Sequence, residues 1–243
     1  MKSLEDEIQE IIAFYEKFLP EVERKALARV GGRSYGGIIR SEIGKMVEEI
    51  ARRVVKIAWE QLGGNLNRLE FKTHKIKIPI NKAYINRITN PDVKNYLLKN
   101  INKCYYGQKT DLHLYIDGTF AMAIECKAYT ENAMMKRILV DFTLLKKAYP
   151  KLKCVLFQLE SQLGGDYSSK LCNNPLGSFS THTLLSLFDI DLSIITLLKG
   201  ERKVDKPIHK PEFFKPLTKE SLEGAISVME NLLKEFIQTR SFF

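Results

Sequence analysis

The chain has 243 residues, of which 44% are hydrophobic and 10% aromatic, and it carries a formal net charge of +9. This composition excludes a disordered chain, and the length is enough to bury a substantial core within one domain. No apolar run approaches the roughly 20 residues that cross a bilayer, and the acidic, amphipathic N-terminus is unlike a secretory signal. The basic surplus favours a polyanionic partner such as nucleic acid.

Hydrophobic periodicity and turn residues predict an alternation of helices and strands. In chain order we predict a helix over 3–29 that breaks near Pro20, a glycine-rich turn over 31–37, a helix over 38–62, a strand over 72–80, a helix over 91–98, a hairpin over 110–127, a helix over 130–149, a strand over 153–159, a loop over 161–180, a strand over 191–198 and a helix over 219–239. This order predicts one α/β domain whose central mixed β-sheet is flanked by helices.

The four cysteines lack the spacing of a metal site or a redox motif. They are Cys104, Cys126, Cys154 and Cys172, with no Cys-x-x-Cys pair among them. We therefore expect reduced thiols in a cytoplasmic protein.

The hairpin over 110–127 carries charged residues inside an apolar pattern. In its second strand Phe120, Met122, Ile124 and Cys126 alternate with smaller or charged residues, so Glu125 and Lys127 share one face. A three-residue connection, Asp117-Gly118-Thr119, pairs Leu112 with Ile124 and places Asp111 opposite Glu125. A two-residue Asp-Gly turn needs a β-bulge to give the same result.

Two carboxylates and one ammonium on adjacent strands can hold a metal ion against a phosphodiester. Mg2+ usually takes one or two carboxylates, which Asp111 and Glu125 supply, and Lys127 then stabilises charge at the phosphate. The pattern Asp/Glu-x-Lys occurs five times in the chain, but only at 125–127 does it end an apolar strand and precede a helix. The alternative for this segment is an exposed sheet edge with a salt bridge.

These residues resemble the PD-(D/E)xK nuclease superfamily, with Thr110-Asp111 in place of Pro-Asp and Glu125-Cys126-Lys127 as the Glu-x-Lys. The resemblance covers about residues 40–160, and the whole chain looks most like a type II restriction endonuclease. It implies a restriction-endonuclease-like core over about 38–160, with residues 161–243 contributing DNA recognition or dimerisation. It also implies a Mg2+-dependent homodimer that cleaves double-stranded DNA at a palindromic site, and a cognate DNA methyltransferase that protects host DNA.

The same resemblance points to an upstream glutamate that assists the metal site. Families of this kind often carry a Gly-x-x-x-Glu pattern on a helix, which Gly44 to Glu48 matches. Glu42 on the other flank of the helix is a competing candidate. The alternative for Glu48 is an ion pair with Arg52 on a solvated face.

Four further residues are candidates for DNA contacts. Lys136 and Arg137 lie on the helix that follows the hairpin, and Gln158 and Gln162 lie at the end of the next strand, where amides could read base edges. The alternatives are a solvated helix surface and an ordinary loop.

Three other functions remain open from the sequence. They are a structure-specific DNA repair or junction-resolving nuclease of the same fold, a non-catalytic DNA-binding protein, and a non-nuclease whose positive charge is incidental.

Overall fold

The computed structural model describes residues 2–28, 34–168 and 177–237, and these residues form seven strands and seven α-helices. The strands are β1 (Leu69–Lys72), β2 (Ile76–Pro79), β3 (Tyr105–Gln108), β4 (Leu112–Ile116), β5 (Thr119–Glu131), β6 (Lys153–Gln162) and β7 (Leu192–Thr196). The helices are α1 (Leu4–Ala28), α2 (Tyr35–Gln61), α3 (Lys82–Arg87), α4 (Pro91–Lys99), α5 (Asn132–Ala148), α6 (Phe179–Ser186) and α7 (Lys219–Ile237). No helix in these ranges combines the length and the apolar character needed to cross a bilayer.

The centre of the fold is a five-stranded sheet in the order β1-β4-β5-β6-β7. Strands β1, β4 and β5 pair antiparallel, whereas β5, β6 and β7 pair parallel. One face packs against α1, α2 and α7, and the other packs against α5. The predicted α/β architecture, a mixed sheet flanked by helices, is confirmed.

Helix α1 continues through Pro20 to Ala28, so the predicted break near that residue is wrong. A proline inside a helix removes one backbone hydrogen bond and costs about 3 kcal/mol. Buried side chains on both sides of the proline offset this cost, namely Ile8, Ile11, Tyr15, Leu19, Val22 and Ala26.

The strand predicted over 72–80 is two strands that belong to different sheets. Strand β1 joins the central sheet beside β4, whereas β2 pairs with β3 in a separate two-stranded sheet. Together with α3 and α4, β2 and β3 form an excursion between β1 and β4 that we call the lobe (residues 73–110).

Other boundaries also differ from the predicted ones. Strand β6 continues to Gln162, and α6 begins inside the predicted loop because the Ser178 hydroxyl accepts a hydrogen bond from the Thr181 N–H. Cys126 and Cys154 are buried and free and Cys104 is half-buried and free, while Cys172 lies outside the described residues. The same holds for Gly31 to Arg33 of the glycine-rich turn and for residues 238 and 239 of the last predicted helix.

The β4–β5 hairpin has the predicted pairing of Leu112 with Ile124, with a two-residue turn and a β-bulge instead of a three-residue connection. Asp117 and Gly118 have φ values of 49° and 77°, so they form a two-residue turn with both central residues in the left-handed region. Ile116 pairs with Thr119, a β-bulge shifts the register, and Leu112 then pairs with Ile124. The bulge moves Phe120 to the opposite face from Ile124, where its ring stacks on Tyr115 at 5.1 Å.

Candidate active site

The hairpin brings Asp111 beside the middle of its second strand, β5. Asp111 directly precedes β4, and its Oδ2 accepts a hydrogen bond of 2.8 Å from the backbone N–H of Cys126 on β5. Strand β5 lies between β4 and β6, so the triplet at 125–127 is not on a sheet edge. The interpretation of this segment as an exposed edge is therefore wrong.

Lys127 joins the two carboxylates. Its Nζ lies 3.1 Å from Asp111 Oδ2 and 2.5 Å from Glu125 Oε1. All three side chains keep some access to solvent, with exposed fractions of 31% for Asp111, 15% for Glu125 and 21% for Lys127. The cluster is thus partly desolvated but open to a ligand from one side.

Burial and the neighbouring charges shift the pKa values of Glu125 and Lys127. Burial, together with the negative charge of Asp111, raises the pKa of Glu125 above its ordinary value. Burial opposes the charged form of Lys127, but the carboxylates of Glu125 and Asp111 outweigh it and raise the pKa of the ammonium. Positive charge beside Glu125 favours its charged form, and the Lys127 ammonium supplies it in this structure.

His113 holds the backbone that leads into Asp111, a role that the sequence did not reveal. The Thr110 N–H donates a hydrogen bond of 3.2 Å to His113 Nε2. Burial, followed by the nearby His74, lowers the pKa of His113 to about 4. A neutral ring can accept this bond, so His113 supports the turn before Asp111. The sequence did show that His113 and Asp111 lie two residues apart and so share one face of the strand.

Of the two upstream glutamates, Glu48 lies near the cluster. Burial and then the charge of Asp111 raise the pKa of Glu48, and the positive charges of Arg52, Lys109 and Lys127 act in the opposite direction. No salt bridge joins Glu48 to Arg52 within the described ranges. Glu42 instead forms salt bridges with Lys25 at 3.2 Å and Lys45 at 2.8 Å.

The four predicted DNA contacts lie in different surroundings. Lys136 and Arg137 are exposed on α5, and Gln162 is half-buried and accepts a hydrogen bond of 2.6 Å from Arg202. Gln158 is fully buried, and its Nε2 donates to Thr196 Oγ1 at 2.9 Å. An amide inside the sheet cannot reach a base edge, so the structure places Gln158 as a link between β6 and β7.

The donor set suits a hard divalent cation. Among the described residues, no group of three or more His, Cys, Asp or Glu side chains is arranged to hold a metal. However, Asp111 and Glu125 direct oxygens at one ammonium. Mg2+ commonly binds to one or two carboxylates and completes its shell with waters and phosphate oxygens, so these two residues fit it.

Comparison with known proteins gives one strong sequence match. No protein-family model matches the chain. The chain is 50% identical over 241 residues to the type II restriction enzyme DdeI of Desulfomicrobium norvegicum, with 97% of this chain and 100% of that protein covered. A weaker structural likeness, with a TM-score of 0.38 and 10% identity, relates it to the native BbvCI A2B2 tetramer and covers 97% of this chain and 89% of that chain.

Proposed function

Because this chain belongs to the type II restriction enzymes and is a site-specific DNA endonuclease, we propose that Asp111, Glu125 and Lys127 hydrolyse the scissile phosphodiester. The family typically needs a divalent metal, and we assign Mg2+ on the basis of the oxygen donors at Asp111 and Glu125. The observation that carries the proposal is the contact of one Lys127 ammonium with both carboxylates.

Each residue has a separate part in the proposed reaction. Asp111 and Glu125 would hold Mg2+, and the bound metal would supply the charge that polarises the phosphate and lowers the pKa of a water. Lys127 stabilises the charge that develops on the phosphate oxygens and orients the attacking water. The Cys126 N–H keeps the Asp111 carboxylate turned towards the site. Half-buried Glu48 adds negative charge beside Asp111 and assists metal binding.

The wider setting is also part of the proposal. We assign the protein to the cytoplasm as a homodimer whose two-fold axis matches a palindromic site. Residues 161–243 contribute to recognition or dimerisation, and Lys136, Arg137 and Gln162 contact DNA. Gln158 is not retained among these contacts because its side chain is buried. A cognate methyltransferase protects host DNA.

The first test is digestion of a long linear phage DNA by the purified full chain. We expect discrete bands with Mg2+, no cleavage with EDTA, and the same bands when Mg2+ is restored in excess. End-sequencing of the fragments then gives the site and the cut position. Discrete bands in EDTA contradict the metal assignment, and a smear at all enzyme concentrations contradicts site-specific cleavage.

The assignment of Glu48 predicts a difference between two single variants. Glu48→Gln should lower the apparent affinity for Mg2+ by roughly 10- to 100-fold, the range typical of residues that support metal ligands. Glu42→Gln removes two surface salt bridges, each worth at most about 1 kcal/mol, and should cut like the parent. The measurement is the initial cleavage rate against Mg2+ concentration. Equal curves for Glu48→Gln and the parent exclude Glu48 from the metal site.

A further inference from the structure

The basic surplus of this protein is concentrated in the lobe. Residues 73–110 contain eight Lys and Arg residues and a single acidic residue, Asp92, and so carry +7 of the total net charge of +9. The other 205 residues contain 30 basic and 28 acidic residues. Residues 161–243, which the sequence predicts to help in recognition, contain ten of each. The lobe is therefore the chain's strongly cationic segment.

Within the described residues, most basic side chains of the lobe have no carboxylate partner, although Lys109 acts electrostatically on Glu48. Across the ranges that the structure describes, no salt bridge involves any of its eight basic residues. Elsewhere basic side chains do find carboxylates, as Arg68 does with Asp117 and Lys215 with Glu160. The lobe thus presents free positive charge to an outside partner.

Core burial explains strand β2 of the lobe but not helix α4, because Ile76 and Ile78 are buried whereas α4 contributes no buried residue. Helix α4 begins in an ordered way, since Asn90 accepts hydrogen bonds from the N–H groups of Asp92 and Val93, yet it contains no buried residue. Aromatic side chains are also exposed between the charges, including Tyr96 at 67% and Tyr106 at 61%. Ordered, exposed aromatic surface of this kind marks an interaction site.

The position of the lobe ties it to the candidate active site. Ile76 and Ile78 of β2 pack in the core that α5 covers, which fixes the two-stranded sheet against that helix. Strand β3 then ends at Gln108, and only two residues separate it from Asp111. A partner that binds along the lobe as far as Gln108 therefore comes close to the three proposed catalytic residues.

We propose that the lobe binds the phosphate backbone of the duplex substrate next to the scissile bond. The inference rests on the proposed function, because it takes DNA as the substrate. Duplex DNA carries one negative charge about every 1.7 Å along its axis, which matches a dense, unpaired positive surface. A second copy of the lobe is a poor candidate for the binding partner, because two surfaces of net charge +7 repel each other.

The test compares two triple variants of the full chain that have the same net charge. The lobe variant is Lys82→Gln, Arg87→Gln and Lys99→Gln, and the control is Lys17→Gln, Lys151→Gln and Lys234→Gln. All six side chains are exposed and none forms a salt bridge in the described ranges. Binding to a labelled 30-base-pair duplex is measured by fluorescence anisotropy in EDTA across a salt series. Thermal melting and sedimentation check the fold and the oligomeric state.

We expect the slope of log K against log salt to become less steep by about 0.9 for each lost phosphate contact, or roughly 2.7 for the lobe variant. The control should keep the parental slope. Equal slopes for the lobe variant and the parent overturn the inference, as does a lobe variant that changes only the oligomeric state. A parent that neither binds nor cuts DNA instead overturns the proposed function, so the two failures can be told apart.

Discussion

Replacement of Lys127 by alanine is expected to reduce DNA cleavage by at least about 10²- to 10³-fold, the loss typical of removing one group that stabilises transition-state charge. The ammonium contacts both Asp111 and Glu125, so its loss also leaves two carboxylates facing each other. We expect a lower Tm without metal and a larger rise in Tm with Mg2+ than the parent shows. Single-turnover cleavage and thermal melting measure the two effects.

The chain contains a matched control for this variant. Glu70-Phe71-Lys72 on β1 is another Glu-x-Lys triplet, and Lys72 Nζ lies 2.8 Å from Glu70 Oε2. Lys72→Ala therefore removes a strand ion pair of similar geometry without touching Asp111. It should cleave like the parent. If Lys127→Ala also cuts at the parental rate, the assignment of the active site is wrong.

Replacement of Asp111 by asparagine should abolish Mg2+-dependent cleavage while leaving the fold intact. The asparagine oxygen can still accept the hydrogen bond from the Cys126 N–H, but the charge that holds the metal is lost. Metal catalysis supplies several kcal/mol, so we expect a loss of at least about 10²-fold. DNA binding in EDTA should be equal or tighter, since a negative charge leaves the phosphate site.

Asp117→Asn is the control for Asp111→Asn. Asp117 lies at the opposite end of the same hairpin, where it pairs with Arg68 at 2.7 Å. This variant should lose at most about 1 kcal/mol of stability and should cleave normally. The Mg2+-induced rise in Tm should persist in Asp117→Asn and disappear in Asp111→Asn. A full Mg2+ shift in Asp111→Asn contradicts its role as a metal ligand.

The juxtaposition of the catalytic candidates followed from the sequence because strand alternation and pairing are local rules. Once Leu112 is paired with Ile124, Asp111 must come beside Glu125 and Lys127. The long helix α2 was also predictable, since its apolar residues recur at helical spacing over 27 residues. The apolar pattern alone could not decide between a longer turn and a bulge, because both give the same pairing at the site.

Features that depend on tertiary packing were missed. Pro20 is a local breaking signal that burial on both sides overrides. The alternation over 72–80 is genuine, but nothing local indicates that the chain leaves one sheet and enters another at Thr73. Gln158 looked like a polar residue at the end of a strand, whereas β6 continues past it and β7 covers it. Each error arises where a neighbour that is distant in sequence decides the outcome.

The β-bulge has a consequence for how the turn of this hairpin can vary in evolution. It absorbs one residue between the turn and the site, so a turn lengthened by one residue together with loss of the bulge gives the same pairing at Leu112 and Ile124. The distance between the aspartate and the Glu-x-Lys can thus stay constant while the turn itself varies in type. Related chains that differ at Asp117-Gly118-Thr119 can therefore keep the same geometry at the candidate site, while Phe120 and Ala121 change the side of the sheet on which they lie.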